Sequence, residues 1–196
     1  MFRHARSTVA CSFLCLAALW GCGRFAEQTH RPDTAALFRS LKEAGAAGRT
    51  GTIQGSLYLV HPGLPTMLRE WSVTLLPLSP DQEAAISQAH ERYLRTGREP
   101  LPADLFQGAR RLLERLATQA KESGYGELVR ITKTDTKEAK FVFSDVPEGR
   151  WLLTAELPGK LSMLLWASPV TVTAEKMTVR LLSDATIWLE GLTPEP

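Results

Sequence analysis

Residues 141–157, F-V-F-S-D-V-P-E-G-R-W-L-L-T-A-E-L, decide the fold of this chain. Apolar residues recur at a spacing of two before Pro147 and again after Gly149. This alternation around a tight connection is typical of two half-buried strands. Proline presets one turn torsion and glycine accepts a positive one, so Pro147-Glu148-Gly149 suits the turn between them. The stretch predicts a β fold and contains no catalytic chemistry of its own.

Alternating segments of the same kind recur through most of the chain. They are short and are separated by turn residues, which is typical of all-β proteins. The pattern predicts a mainly β fold, an antiparallel sandwich of roughly eight or nine strands. The predicted strands cover residues 53–59, 71–75, 128–131, 141–143, 149–157, 161–167, 170–172, 177–181 and 187–189.

Two helical segments interrupt the strand pattern between residues 79 and 124. Ser79-Pro80-Asp81-Gln82 combines an N-cap serine, a proline at the first helical position and an amide that can cap in return. Apolar residues then follow at spacings of three or four until Gly97. After Pro100-Leu101-Pro102, a wider apolar stripe runs to Gly124. The pattern predicts an α-helical hairpin inserted into the β domain.

The N-terminus has the pattern of a secretory signal. Two arginines precede the uncharged apolar stretch 7–20, which is too short to span a bilayer. The stretch ends in Leu19-Trp20-Gly21-Cys22, which resembles the lipobox of bacterial lipoproteins, although Trp20 is bulkier than the usual residue there. In that family the cysteine is lipidated and begins the mature chain, so the resemblance implies lipidation of Cys22. The alternative is another cleavage site, or none, with Cys22 as a free thiol.

Removal of residues 1–21 would change the cysteine count and the charge. Cys11 and Cys15 leave with the signal, so the mature chain keeps only Cys22 and forms no internal disulfide. Loss of the two signal arginines lowers the Lys plus Arg count from 23 to 21, which equals the Asp plus Glu count of 21. A neutral domain without a basic run gives no indication of nucleic-acid binding.

Four segments together resemble a carboxypeptidase regulatory-like domain, which is a small transthyretin-like (Ig-like) β-sandwich. Three of them are I-x-G-x-L from Ile53, W-S-V-T-L-L from Trp71 and V-T-V-x-x-x-x-M-T-V-R-L-L from Val170. The fourth is the stretch at residues 141–157 quoted above, which we call the turn phrase. In that family the phrase F-x-F-x-x-V-P-x-G-x-Y-x-L-x-A joins two strands, and this chain has Trp151 in place of the tyrosine. The matching residues are Phe141, Phe143, Val146, Pro147, Gly149, Leu153 and Ala155.

The resemblance implies a non-catalytic module that relatives use as a stalk, a spacer or a binding platform. It carries over no functional residue, because the matching positions are structural. Two features depart from the family pattern. The helical hairpin is absent from simple members, and the segment T-D-T-K-E-A-K lacks the glycine that usually precedes the first phenylalanine.

These interpretations predict four parts of the chain. Residues 1–21 form a lipoprotein signal peptide, and residues 22–50 form a tether with a short helix from Asp33-Thr34 to Ala46. Residues 51–190 form the sandwich with the hairpin at 79–124, and residues 191–196 form a C-terminal tail.

Tryptophans are the first candidates for a binding surface, because tryptophan serves as core, interface or sugar-stacking platform. Trp71, Trp151, Trp166 and Trp188 all lie in predicted strands. Trp166 directly follows Leu165, so one of the two should face away from a one-sided core. Trp166 is therefore a candidate exposed platform, and a core position is the alternative.

Arginines of the second helix are the other candidates. Arg110, Arg111 and Arg115 lie on its charged side and could form a binding surface. The alternative is a solvated helix face without a ligand.

The sequence gives no support for an enzyme, a metal site or a cofactor. The histidines His30, His61 and His90 lie far apart and lack a cysteine partner. No nucleophile elbow, phosphate-binding loop or calcium loop occurs. The absence of asparagine excludes the Lys–Asn isopeptide bond of some related surface domains. The ending L-T-P-E-P argues against the transthyretin-like hydrolases, which end in a Tyr-Arg-Gly-Ser type of tail.

The leading hypothesis is a membrane-anchored envelope lipoprotein. Lipid on Cys22 would hold it to the membrane, and Gly23 rather than aspartate at the next position favours the outer membrane if the cell has two. The domain would act as a non-catalytic binding or structural module with an envelope protein as partner. The alternative is a carbohydrate-binding module that uses an exposed Trp166.

Overall fold

The computed structural model describes residues 34–59, 65–95, 103–158, 162–182 and 188–192. Among them are three α-helices, a short 3-10 helix and nine strands. The helices are α1 (Thr34–Ala46), α2 (Pro80–Arg95) and α3 (Ala103–Glu122), and the 3-10 helix is Gly126–Leu128. The strands are β1 (Thr50–Leu59), β2 (Thr66–Met67), β3 (Ser72–Pro77), β4 (Arg130–Lys133), β5 (Lys140–Pro147), β6 (Gly149–Pro158), β7 (Ser162–Val172), β8 (Met177–Leu182) and β9 (Trp188–Leu192).

The strands form two sheets that pack face to face. One sheet has four strands, in which β1 pairs with β2 and β5 in antiparallel and with β8 in parallel. The second sheet has five strands in the order β4-β3-β6-β7-β9. The main core lies between them, with Ile53 and Phe141 from the first sheet and Leu75, Trp151 and Val170 from the second. The prediction of a mainly β sandwich is therefore confirmed.

A second core lies on the other face of the five-stranded sheet. It joins Leu152 and Leu165 of the sheet to Ile86 of α2 and Leu116 of α3. Because the sheet is covered on both faces, residues 151–155 of β6 are buried without alternation. Helices α2 and α3 lie between β3 and β4 in the chain.

Local signals fixed the start of α2 as predicted. The Ser79 Oγ accepts a hydrogen bond from the Gln82 backbone N–H at 3.3 Å, and the Ser79 N–H donates to Gln82 Oε1 at 2.8 Å. This reciprocal pair satisfies two backbone donors that the helix itself leaves unpaired. Pro80 follows directly as the first helical residue.

Helix α1 packs on the sandwich. Phe38, Leu41 and Ala44 form a narrow apolar stripe, and each is no more than 2% exposed. Leu41 lies against the turn before β6, where a β-carbon added to Gly149 would come within 2.4 Å of Leu41 Cδ2. Gly149 also has a φ of +149°, so the position suits glycine for two reasons. The turn phrase therefore accommodates α1 as well as joining β5 to β6.

One strand pair differs from the expected antiparallel arrangement. Strand β8 pairs with β1 in parallel, with Thr52 opposite Met177 and Leu57 opposite Leu182. The turn at residues 174–176 connects β7 of the five-stranded sheet to β8 of the four-stranded sheet. Next to this turn, the Thr52 N–H donates to the Lys176 carbonyl at 3.1 Å. The strand beside β8 is therefore β1 and not its neighbour in sequence.

Strand β7 continues through Pro169, where the sequence pattern suggested two separate strands. Pro169 lies opposite Leu152 of β6. The other neighbour, β9, pairs only with residues 162–166 of β7. Proline lacks a backbone N–H, so it is tolerated where one side of a strand has no partner.

Candidate functional site

Trp166 is buried, and the expectation of an exposed Trp166 is wrong. Its side chain is 0% exposed and lies in the core between the sheets. Leu165 is also buried, but against the helices on the opposite face. The expectation assumed a sheet with one buried face, whereas α2 and α3 cover the second face. Among the described residues, the Trp166 indole N–H has no hydrogen-bond acceptor.

The three arginines of α3 do not form one binding surface. Arg110 turns toward the sheet, where its Nε lies 3.4 Å from Glu156 Oε2 of β6 and 3.4 Å from Glu114 Oε1. Arg111 and Arg115 are exposed one turn apart. Their Nε groups donate to carbonyl oxygens of their own helix at 3.2 Å and 3.4 Å. The solvated-face alternative fits Arg111 and Arg115, and Arg110 ties α3 to β6.

Cys22, His30 and His61 lie outside the described residues. Within the described ranges, no three His, Cys, Asp or Glu side chains come together as a group that could hold a metal ion. In the same ranges, none of the helices has the length and apolarity that crossing a bilayer requires.

The outward face of the four-stranded sheet carries an unusual apolar column on β8. Met177, Val179 and Leu181 are 63%, 67% and 51% exposed. Val142 of β5 is 48% exposed on the same face, two strands away. Gln54 of β1 pairs with both Val179 and Val142, so these three residues form one row across the sheet. We call this surface, formed by the outward side chains of β8, β1 and β5, the β8 face.

The alternating apolar residues of β8 are exposed, whereas the sequence pattern suggested that they would be buried. The sequence pattern Met177, Val179, Leu181 predicted an ordinary half-buried strand. In the structure these residues point outward, while Leu182 at the strand end is 0% exposed. Exposed apolar residues at every second position of an edge strand are typical of interaction surfaces and are otherwise an aggregation hazard.

Strand β5, on the other side of β1 from β8, is irregular near its end. Strand β5 shifts register between Gly51 and Ile53 of its partner β1, and Asp145 has a φ of +53° at this bulge. The Arg130 guanidinium donates to the carbonyl oxygens of Ser144 at 2.7 Å and Asp145 at 2.9 Å. Burial lowers the pKa of Arg130 and the Asp145 carboxylate opposes that shift, yet an arginine stays charged. Arg130 therefore covers two carbonyl oxygens at the bulge of β5 with charged hydrogen bonds.

A polar cleft of about 420 Å³ lies on the five-stranded sheet, on the face that also bears the helices. Strand β3 contributes Ser72 and Thr74, preceded by Trp71. Ser72 lies directly opposite Lys133 of β4, and Thr74 lies opposite Thr154 of β6. Glu70 and Glu156 complete the polar lining. We call this the Trp71 cleft.

Trp71 is held rigidly at the border of this cleft. It is half-buried and packs against the main core. Its indole N–H donates to the backbone carbonyl of Glu156 at 2.6 Å. Its backbone N–H donates to Thr134 Oγ1 at 2.9 Å, and its carbonyl accepts from the Thr134 N–H at 2.9 Å. Thr134 Oγ1 donates in turn to the Leu68 carbonyl at 2.6 Å, so the turn before β3 is fixed to the end of β4.

The sequence offered little to identify this cleft. Trp71 was one of four strand tryptophans, and nothing local distinguished it. Lys133 and Glu156 lie far from it in the chain and reach it only through the β4-β3-β6 strand order. The one local signal was the pair Glu70-Trp71 directly before a strand of alternating hydroxyl residues.

The comparison with solved structures finds similarity at low sequence identity. No protein-family model matches the chain, and no curated protein matches it. The chain is similar to the crystal structure of a proposed carbohydrate-binding protein from Pseudomonas aeruginosa. The identity is 21% and the TM-score is 0.42, over 72% of this chain and 95% of the other. This similarity is too low to transfer a function or a site.

Proposed function

We propose that this chain is an exported envelope lipoprotein that acts as a non-catalytic binding module for another envelope protein. In this proposal Cys22 carries the lipid and holds the protein to the membrane. The sandwich is a transthyretin-like domain with an inserted helical hairpin, and its β8 face is the contact surface. The lipobox pattern at Leu19–Cys22 and the turn phrase at 141–157 support the first two parts.

The observation that carries the binding role is the exposure of Met177, Val179 and Leu181. Each leaves about half or more of its surface in water. Apolar side chains gain about 25 cal/mol for each Å² that they remove from water, so this column is available to stabilise a complex. Scattered exposed apolar residues are ordinary, but these three alternate along one edge strand with Val142 in the same face.

The charge of the β8 face specifies the partner. The outward residues of β1, namely Thr52, Gln54 and Ser56, are neutral. Lys140 brings a charge, but it forms an ion pair with Glu138, which raises the pKa of Lys140. We therefore expect the partner to present an apolar, uncharged surface, because an unpaired charge there would lose its hydration.

A photo-crosslinking amino acid at Val179 tests the role in intact cells. We expect crosslinks from Val179 and from Val142 to the same envelope protein, identified by mass spectrometry. Leu94 of α2 is the matched control, because it is an exposed apolar residue (44%) away from the β8 face. Crosslinks from all three positions to the same set of proteins would contradict a specific face.

The purified partner then allows a quantitative test. Val179→Lys should weaken the complex at least tenfold, while Leu94→Lys leaves the affinity unchanged. Neither substitution should change the free energy of unfolding by more than about 0.5 kcal/mol, because both side chains are exposed. Self-association through Val179, measured by sedimentation, would replace the envelope partner with a second copy of this chain.

The lipid anchor has its own test. Mass spectrometry of the mature N-terminus should find a lipidated Cys22 as the first residue. An unmodified Cys22, or cleavage at another position, would refute the anchor without affecting the role of the β8 face.

A further inference from the structure

We propose that the Trp71 cleft is a second binding site, specific for a neutral polyhydroxylated ligand, namely a saccharide. The cleft lies on the five-stranded sheet, whereas the β8 face belongs to the four-stranded one. The two sites can therefore be tested independently. A volume of about 420 Å³ is in the range of small-molecule sites.

The hydrogen-bonding groups of the cleft match sugar hydroxyls. A sugar hydroxyl both donates and accepts, so it needs partners of both kinds. Ser72, Thr74 and Thr154 supply hydroxyls that can do either. The carboxylate of Glu70 accepts, and the ammonium of Lys133 donates. Trp71 borders these polar groups and is half-buried, packed against the main core.

The charge of the cleft favours a neutral ligand. Glu70 and Glu156 carry negative charges, and Lys133 carries a positive one. Arg110 adds the second positive charge at the rim through its ion pair with Glu156. Glu114, the other partner of Arg110, makes the sum of these five charges one negative charge, so the site disfavours an anion. Among the described residues no acidic group of three is present to hold a metal ion.

Two of the charged groups remain available to a ligand. Neither Glu70 nor Lys133 forms a side-chain hydrogen bond or an ion pair with another described residue. Glu156 differs, because its carboxylate is engaged by Arg110. Glu70 also has a φ of +55°, which a non-glycine residue adopts at a cost. Strain of this kind occurs more often at binding sites than elsewhere, since the surrounding structure must hold it in place.

The hydrogen bonds that hold Trp71 keep this border of the cleft in place before a ligand binds. The indole N–H is fixed to the Glu156 backbone, and Thr134, which is 3% exposed, fixes the Trp71 backbone. A site held in this way loses little conformational entropy when a ligand binds. This arrangement suits weak, hydroxyl-rich ligands whose gain per contact is small.

Nuclear magnetic resonance of protein labelled with ¹⁵N-tryptophan tests the proposal directly. The probes are neutral hexaoses of glucose, xylose, mannose and N-acetylglucosamine, each titrated to about 10 mM so that millimolar affinity is detected. The Trp71 indole signal is assigned as the one that Trp71→Phe removes. We expect at least one hexaose to shift this signal saturably, while the buried indoles of Trp151 and Trp166 stay unchanged.

Variants of the lining separate binding from a general change of structure. The double variant Thr74→Val and Lys133→Ala should weaken the saccharide at least tenfold. The matched control is Thr171→Val with Lys176→Ala, both exposed and away from the cleft. A charged probe, hexagalacturonate, should bind more weakly than the neutral one. The proposal is overturned if no neutral hexaose shifts the Trp71 signal, if the control variant weakens binding equally, or if only the anionic probe binds.

Discussion

The indole N–H of Trp151 donates a hydrogen bond to the carbonyl oxygen of Pro147 at 2.8 Å. Both residues are buried, and the bond closes the turn between β5 and β6 from the inside. The tryptophan therefore fills the core and also satisfies a carbonyl that water does not reach.

Loss of this hydrogen bond should destabilise the fold. Trp151→Phe keeps an aromatic side chain but removes the donor and part of the volume. We expect the free energy of unfolding to fall by about 2–4 kcal/mol, because a buried carbonyl loses its partner and a cavity forms. Urea denaturation measures the change, and a loss below about 0.5 kcal/mol would show that the bond contributes nothing.

Gly149 should tolerate no larger side chain while Leu41 is present. Gly149→Ala places a β-carbon 2.4 Å from Leu41 Cδ2 and strains a φ of +149°. We expect a loss of about 2 kcal/mol or more by urea denaturation. In a Leu41→Ala background the added loss should be smaller, because the clash is gone and only the backbone strain remains. Equal losses in both backgrounds would contradict the packing of α1 on this turn.

Gly108 provides the matched control for the alanine substitution. It lies in α3, and nothing comes within 4 Å of a β-carbon added there. Gly108→Ala should therefore stabilise the protein by about 0.5–1 kcal/mol through helix propensity.

The reciprocal capping of α2 should contribute measurably to stability. Ser79→Ala removes the acceptor for the Gln82 N–H, and Ser79 is only 4% exposed. We expect a loss of about 0.5–2 kcal/mol in thermal or urea unfolding. Ser123→Ala, which changes an exposed serine after α3, should stay within about 0.5 kcal/mol of the original chain. A Ser79→Ala protein as stable as this control would rule out a stabilising cap.

The stabilising effect of Asp135 in the turn between β4 and β5 should depend on pH. Its carboxylate accepts hydrogen bonds from the backbone N–H groups of Glu138 at 2.6 Å and Lys137 at 2.9 Å. These bonds lower the pKa of Asp135 below its usual value. The stabilising effect is therefore full above the unfolded-state pKa of about 3.9 and is lost as the pH falls through the folded-state pKa.

Titration of the Asp135 carboxyl by NMR measures this pKa directly. The stability difference between the original chain and Asp135→Asn should be constant near neutral pH and should shrink as the solution becomes more acidic than about pH 4. A carboxyl pKa at or above its usual value, or a difference that does not change with pH, would refute the role of these hydrogen bonds.

Local sequence signals predicted the start of α2 and the strands around Pro147, because the interactions that form them join residues close together in the chain. The pairing of Ser79 with Gln82 needs only four consecutive residues, and the structure confirms it. The strands on both sides of Pro147 follow from the alternation of residues 141–157. Both signals depend on neighbours in the chain, so no tertiary contact was needed to recognise them.

Which face of each strand is buried could not be predicted in the same way. Alternation shows that two faces differ, but not which neighbours cover them. Trp166 and Leu165 are both buried because α2 and α3 cover the second face of their sheet. Met177 and Val179 are exposed because the described residues place no layer over the four-stranded sheet at β8. The Trp71 cleft could not be predicted from the sequence for the same reason, because three strands from distant parts of the chain form it.

The parallel pairing of β8 with β1 also constrains the order in which the protein can be made and folded. Strand β1 lies near the start of the described chain, and β8 lies near its end. During synthesis, this edge of β1 therefore stays without its β8 partner until residues 177–182 have been made. Contacts between such distant segments form slowly, because a long loop must close first. A polypeptide interrupted before Met177 would keep that edge open and would be a substrate for chaperones and proteases.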